Sequence, residues 1–378
     1  LERRSTDLDR FIRVSYGIYD GDPHWVAPLW FDLKKVFTDA NPLFEHAEVR
    51  LWVAHRNGQD VGRIAGIIDH YFNQVQQGQT FFFGFFESVN EPAVAAELLD
   101  AVCAWGRSQG LDRLLGPMNP TSNDECGLLV EGFDMDAAFM MPYNPPYYPE
   151  LLSGLGFQKA KDLLAYLIDI SKSPLDRLNR LANKCRERNP DLVFRSVTKK
   201  SLQTDLGKIK QVYNAAWEQN WGFTPMTDAE IDFLAARLKP LLVEGLVQLA
   251  ESPVEPVGFL LAVPDFNQAL KPLRGRLLTP RLPGVVPYLL GRKVPKLCRV
   301  ITLGVKAAYR GRGLESVMLS EGLRTGFRLG FTAAEASWVL EDNVKMRRVI
   351  ELFGASVYKR YRLYEREAMS CGSIRPGS

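Results

Sequence analysis

Apolar positions follow two rhythms along this chain, and the same order of rhythms occurs twice. In the first half, alternating segments 51–55 and 61–69 flank Asn57-Gly58, a dipeptide suited to a tight turn, which predicts a hairpin. The run Phe81-Phe82-Phe83 with Phe85-Phe86 predicts a buried strand over 79–87. Apolar spacings of three and four predict a helix over 93–109, and 111–117 reads as a short strand. In the second half, 246–250 and 256–263 form a hairpin and 297–305 a strand. A helix over 315–329, a strand over 332–339, a helix over 344–353 and a strand from 356 to 365 follow.

Fixed spacings support a repeat. Gly156 is followed by Lys161 and Tyr166, and Gly354 by Lys359 and Tyr364, at the same offsets of five and ten. Val61-Gly62 and Val257-Gly258 open matching apolar runs, and their glycines precede Gly156 and Gly354 by 94 and 96 residues. Asn144 and Asn343 stand twelve and eleven residues before those same two glycines. Such spacing predicts tandem copies of one fold. Hairpin, strand, helix, strand, helix, strand is a mixed α/β order, a central mixed sheet flanked by helices. The expected organisation is an extension over 1–43, a first copy over 44–172 and a basic linker helix over 173–190. A second copy over 191–367 and a flexible tail over 368–378 complete it, with Asn189-Pro190 marking the boundary.

Composition narrows the function classes. Among 378 residues, 46% are hydrophobic and 24% charged, ordinary soluble usage. No apolar run approaches the ~18 residues that cross a bilayer, and no signal-peptide pattern opens the chain. The five cysteines are far apart and form no CxxC pair, so a reduced cytoplasmic protein is expected. All four histidines lie before residue 71, and no HExxH, GxSxG or GKS/GKT pattern occurs. No metal is therefore expected, and neither a zinc protease nor a serine hydrolase is supported.

Charge is uneven. Residues 266–314 hold no acid but eleven cations: Lys271, Arg274, Arg276, Arg281, Arg292, Lys293, Lys296, Arg299, Lys306, Arg310 and Arg312. Taking these from the net charge of +3 leaves −8 for the rest. Such a block suits a phosphorylated cofactor, an anionic membrane or nucleic acid, or is simply a solvated basic face. Tyr288 is the only aromatic residue between Asn267 and Ala308, which argues against nucleic acid.

The sharpest motif is Tyr309-Arg310-Gly311-Arg312-Gly313-Leu314, between a predicted strand and a predicted helix. Glycines let backbone N–H groups approach a phosphate, and the helix adds the positive end of its dipole. With Asn343 and Gly354 downstream, this resembles the GNAT (Gcn5-related) acyltransferase superfamily, whose pyrophosphate loop reads Q/R-x-x-G-x-G/A. Arg310 and Gly313 match, and Glu315 departs from the last position. The resemblance covers 190–367 and extends to 44–170 as a degenerate first copy. There Glu87, Asn90 and Glu91 stand where phosphate would sit. It implies acyl-CoA as co-substrate in the second copy, held by the loop residues and Asn343. Leu303, Gly304 and Val305 would present the backbone donors for the thioester oxygen. Many members carry a tyrosine seven residues after the asparagine; here that position is Ile350, and Tyr358 and Tyr364 are the nearby substitutes.

An acceptor amine must also lose a proton. Glu335 lies in a short strand of small apolar residues, where burial would raise its pKa and suit it as the base; an exposed alternating residue is the alternative. Glu341 is the second candidate, or a helix cap. In the first copy Asn119, Asn123, Asp124 and Glu125 form a polar cluster able to bind an amine, or an ordinary loop. Tyr147 and Trp338 are the aromatic candidates for the acceptor site.

Between the hairpin and the strand at 297 lies an insert, 268–296, apolar and basic and broken by prolines. It suits an anionic membrane surface, a lid over an acyl chain or a dimer contact. With the phenylalanine run, it suggests a long apolar substrate. Asn220-Trp221-Gly222-Phe223 and the segment from Ser337 to Asn343 resemble the bacterial ceramide-synthase-like members, which acylate a sphingoid base. The expectation is an acyl-CoA-dependent N-acyltransferase acting on a long-chain lipid amine, cytoplasmic and peripheral at the inner membrane. A soluble amine acceptor and a non-enzymatic CoA-sensing or RNA-binding module remain open, and so does the oligomeric state.

Overall fold

A computed structural model describes residues 1–3 and 5–368; the expected tail beyond 368 lies outside the described residues. The chain forms two compact units, neither of them a continuous stretch. The first comprises 1–163, 270–279 and 359 onward, the second 164–269 and 280–358. The last strand of each sequence copy, Gln158–Asp169 and Ser356–Glu367, thus begins in one unit and ends in the other.

In the first unit the sheet order is Ala47–Arg56, Gln59–Asp69, Thr80–Ser88, Arg113–Gly116 and the end of Ser356–Glu367. The hairpin forms as predicted: Arg56 pairs with Gln59, and Asn57 and Gly58 take φ of 50° and 80°. Thr80–Ser88 runs parallel to Arg113–Gly116 over three pairs, from Thr80↔Arg113 to Phe82↔Leu115. Helix Pro92–Ser108 covers one face through Leu98, Leu99 and Val102.

The phenylalanine run is packing, not a surface for an apolar substrate. Phe81 and Phe83 are fully buried and Phe85 and Phe86 at most 9% exposed. Their rings pack edge-on or tilted against Phe11, Phe37, Tyr148 and Phe157. Residues of the N-terminal extension belong to this core: Phe11 and Ile12 are fully buried, and Arg63 donates to the Phe11 carbonyl.

The second unit repeats the plan. Its order is the end of Gln158–Asp169, then Ala333–Leu340, Leu297–Val305, Pro256–Pro264, Val247–Glu251 and Val193–Ser196. Helix Leu314–Leu329 lies on one face over Leu260, Ala262, Val300 and Ala334. Helix Leu202–Ala216 lies on the other, over Val247, Leu249 and Phe259. The repeated Val-Gly now has a physical reason. A Cβ at Gly62 would meet the Leu98 side chain at 2.8 Å, and one at Gly258 the Met318 side chain at 3.1 Å. In each unit the glycine lets the helix behind the loop settle onto the strand.

Cys126, Cys185 and Cys298 are free and buried, but Cys103 is disulfide-bonded, which departs from the expectation of uniformly reduced cysteines.

Candidate active site

Strands Leu297–Val305 and Ala333–Leu340 run parallel, but their ladder covers only Leu297↔Ala333 to Val300↔Ala336. Beyond that pair they part, while Leu297–Val305 stays bonded on its other side to Pro256–Pro264 as far as Val305↔Gly258. The register shifts between Leu261↔Thr302 and Ala262↔Val300, leaving Ile301 as the extra residue of a bulge. The result is a wedge whose one wall, 301–305, has no ladder to Ala333–Leu340 among the described residues. Leu303, Gly304 and Val305 lie along this wall, with Trp217 packed against Gly304.

Arg299, Glu335 and Ser337 sit at the apex. Their paired or neighbouring residues Cys298, Val300, Ala334 and Ala336 face the core under helix 314–329, so alternation sends these three to the opposite face. Glu335 is fully buried. It accepts a hydrogen bond from Ser337 Oγ at 2.5 Å on Oε1 and one from the Tyr358 hydroxyl on Oε2. Arg299, 2% exposed, places Nε 3.8 Å from Oε1 and donates to Ser337 Oγ at 3.1 Å. Its guanidinium lies over the Trp338 ring at 5.5 Å. The buried carboxylate is thereby both hydrogen-bonded and charge-compensated, the conditions under which a buried charge is tolerated. Tyr358 and Trp338 are half-buried. Sequence reasoning found Glu335 and Tyr358 separately; Arg299 and Ser337 it missed, although a lone arginine beside cysteine in an apolar strand was a visible signal.

The glycine loop precedes helix 314–329. Gly311 and Gly313 have φ of 80° and 83°, the region that favours glycine. A Cβ at Gly313 would sit 2.5 Å from Cys185 Sγ. Leu314 is fully buried as the first helical residue. Arg310 is turned back, donating to the Val305 carbonyl at 3.1 Å and the Ala216 carbonyl at 2.5 Å, so it braces the loop. Arg312 is exposed, with its guanidinium 5.0 Å from the Tyr309 ring centroid. Burial pushes the Glu315 carboxyl up, with Arg310 opposing weakly. Within the acid-free block, Lys271 pairs with Asp136, Lys306 with Glu255 and Arg299 with Glu335, so part of its charge is met inside the protein.

Asn343 caps the helix Val344–Leu352 by accepting from Met346 N–H at 3.1 Å, and the Glu341 carbonyl accepts from Arg347. Tyr364 belongs to the first unit, 3% exposed, and burial raises its pKa. The first-copy candidates also lie in the first unit. Tyr147 donates to the Ser88 carbonyl at 2.8 Å, and burial followed by the Glu87 charge pushes its pKa up to about 12. Asp124 accepts from the Thr121 hydroxyl, which also accepts from Asn123 N–H, and Glu125 pairs with Asn119 in a short two-stranded ribbon.

Asn119 sets the first copy apart from the second. Thr80–Ser88 and Arg113–Gly116 part as their counterparts do, but Asn119 Oδ1 accepts from Phe85 N–H at 2.6 Å. The side chain occupies the backbone donor that an open wedge would offer a ligand. At the position that the glycine loop takes in the second copy, Glu91 instead forms a bidentate pair with Arg56.

Among the described residues no cluster of three or more His, Cys, Asp or Glu could hold a metal, and no helix is long and apolar enough to cross a membrane.

Comparison with known proteins places this geometry. No protein-family model matches the sequence. It is 34% identical over 370 residues to protein YghO of Escherichia coli (strain K12), covering 96% of this chain and 93% of YghO. It is 34% identical over 366 residues to the bacterial ceramide synthase of Caulobacter vibrioides, covering 95% and 94%. In structure it resembles a tandem GNAT protein from the clavulanic acid biosynthesis pathway, with a TM-score of 0.59 at 13% identity over 97% of both chains. A GCN5-related N-acetyltransferase from Sphaerobacter thermophilus follows at 0.52 and 12% identity, over 99% of this chain and 94% of the other. The chain belongs to the family of YghO and the Caulobacter bacterial ceramide synthase, and it is an acyltransferase built from two tandem copies of the GNAT fold.

Proposed function

We propose that the protein transfers the acyl group of an acyl-CoA, held in the second unit, to the primary amine of a long-chain lipid of the sphingoid-base type. The observation that carries the donor assignment is the wedge opening beside the glycine loop, with Tyr358 and Glu335 at its apex. The acceptor assignment is supported by the name of the Caulobacter relative. The membrane assignment is supported by the insert, where Val286, Leu290 and Val294 are exposed alongside Arg292, Lys293 and Lys296.

In the reaction, amine nitrogen attacks the thioester carbon, and N–H groups on the free edge of 301–305 stabilise the oxyanion. Tyr358 is the group able to meet the substrate, because Glu335 is enclosed. The phenol oxygen takes a proton from the nitrogen as its own proton passes to Glu335 Oε2. When the C–S bond breaks, the same relay runs backward and protonates the CoA thiolate. The products are amide and free CoA, with no net change in the pair. Arg299 and Ser337 hold the carboxylate in place.

The test is incubation with a long-chain acyl-CoA and a sphingoid base, against acetyl-CoA with soluble amines, followed by mass spectrometry of the amides. N-acyl lipid from the first mixture is the expected result. Amide from the second alone removes the lipid acceptor; amide from neither removes the acyl-CoA reading.

A further inference from the structure

The helix Leu175–Arg188, expected to be a linker, packs along helix 314–329 inside the second unit. Ser320 Oγ donates to Asn179 Oδ1 at 3.0 Å, Arg186 pairs with Glu321 at 2.6 Å, and Ala182 and Cys185 pack on Val317. Its other face carries Arg177, Arg180, Lys184 and Arg188, all exposed and none with an ion-pair partner among the described residues. Spacings of three and four align them in one stripe.

The end of that stripe reaches the glycine loop. Cys185 fills the space where Gly313 lacks a Cβ, and Asn189 Nδ2 donates to the Arg312 carbonyl at 3.4 Å and the Cys185 carbonyl at 2.7 Å. The negative end of the helix dipole would oppose an anion here. Asn189 occupies one of the terminal carbonyls, and Lys184, Arg188 and the exposed Arg312 reverse the local sign.

We infer that Lys184, Arg188 and Arg312 form a binding site for the 3′-phosphate of the adenosine half of CoA, one step beyond the pyrophosphate in the loop. This rests on the acyl-CoA reading above. The two phosphate groups of that ligand are joined through one ribose, so a cationic cluster adjoining the loop matches its length. Arg177 and Arg180, one to three turns further from the loop, lie beyond it.

The test compares CoA with dephospho-CoA by calorimetry on the full chain. The wild type should bind CoA about tenfold more tightly, the usual worth of hydrogen bonds to a charged group, and the preference should shrink with added salt. In Lys184→Gln/Arg188→Gln the ratio should fall toward one through weaker CoA binding, with dephospho-CoA changed less than about twofold. Arg177→Gln/Arg180→Gln should keep the wild-type ratio. Equal affinities in the wild type, or equal weakening of both ligands in the variant, overturns the 3′-phosphate site and leaves the acyl-CoA reading intact. Absence of binding by either ligand overturns both.

Discussion

Tyr358 donates its phenolic hydrogen bond to the carboxylate of Glu335, and the carboxylate is fully buried while the phenol is only half so. Tyr358→Phe keeps the ring and removes the proton path; Glu335→Gln keeps the shape and removes the acceptor. Each should lower kcat by ~10²–10⁴, the worth of general acid–base catalysis, with CoA affinity retained. The loss should diminish at high pH, where hydroxide takes the proton from the nitrogen and the CoA thiolate can leave unprotonated. Full activity of both variants at neutral pH would refute the relay.

Arg299 and Glu335 form a pair shielded from water. Removing one member strands the other. Arg299→Met should destabilise the fold by about 3–5 kcal/mol, and Arg299→Met/Glu335→Gln should recover a large part of that. Thermal unfolding of the three proteins measures it; an equal loss in the double variant would show that the guanidinium matters only for packing.

Gly313 combines φ of 83° with Cys185 Sγ where a side chain would begin. Gly313→Ala must therefore shift the loop or the helix 175–188, and Gly313→Asp adds like charge toward a phosphate. Calorimetry should show weaker CoA binding in the first and none in the second. Unchanged affinity in a folded Gly313→Asp protein would remove the cofactor from this loop.

Burial raises the Glu315 carboxyl, outweighing Arg310. A raised carboxyl means that the native state holds the proton more firmly than the unfolded chain. Its stabilising contribution is complete below the ordinary carboxylate range and is lost as pH rises through the elevated native value. Glu315→Gln should accordingly match the wild type at acidic pH, then gain in both stability and CoA affinity as pH rises. A constant difference across pH would place the carboxylate away from the ligand.

Arg292, Lys293 and Lys296 stand exposed beside exposed Leu290 and Val294. Neutralising all three should weaken binding to anionic vesicles by about 1 kcal/mol per charge, most clearly at low salt. Equal flotation of both proteins would exclude this surface as the membrane contact.

Much of the fold was legible because it depends on local periodicity and turn chemistry: the Asn57-Gly58 hairpin, the strand at 297 and the glycine loop all form. The site was legible only in parts. Glu335 was visible as an acid among small residues, but its distance from Tyr358 along the chain hid the bond between them, and the register that pairs Arg299 with Glu335 is a tertiary fact. The phenylalanine run misled because a fully buried strand and an apolar ligand wall have the same composition. The role of Arg310 was read from its charge and its match to the loop motif, whereas two carbonyls claim its guanidinium.

The first unit needs residues from the far end of the chain: Tyr364 pairs with Gly116, Glu367 with Arg113, and the ammonium of Lys359 is held by the carbonyls of Met135 and Asp136. Synthesis is vectorial, so during translation the strand Arg113–Gly116 waits with one edge bare until the final strand leaves the ribosome. The amino-terminal half is therefore exposed to mispairing while residues 117–355 are made, and its folding is tied to the emergence of Ser356–Glu367 rather than to its own completion.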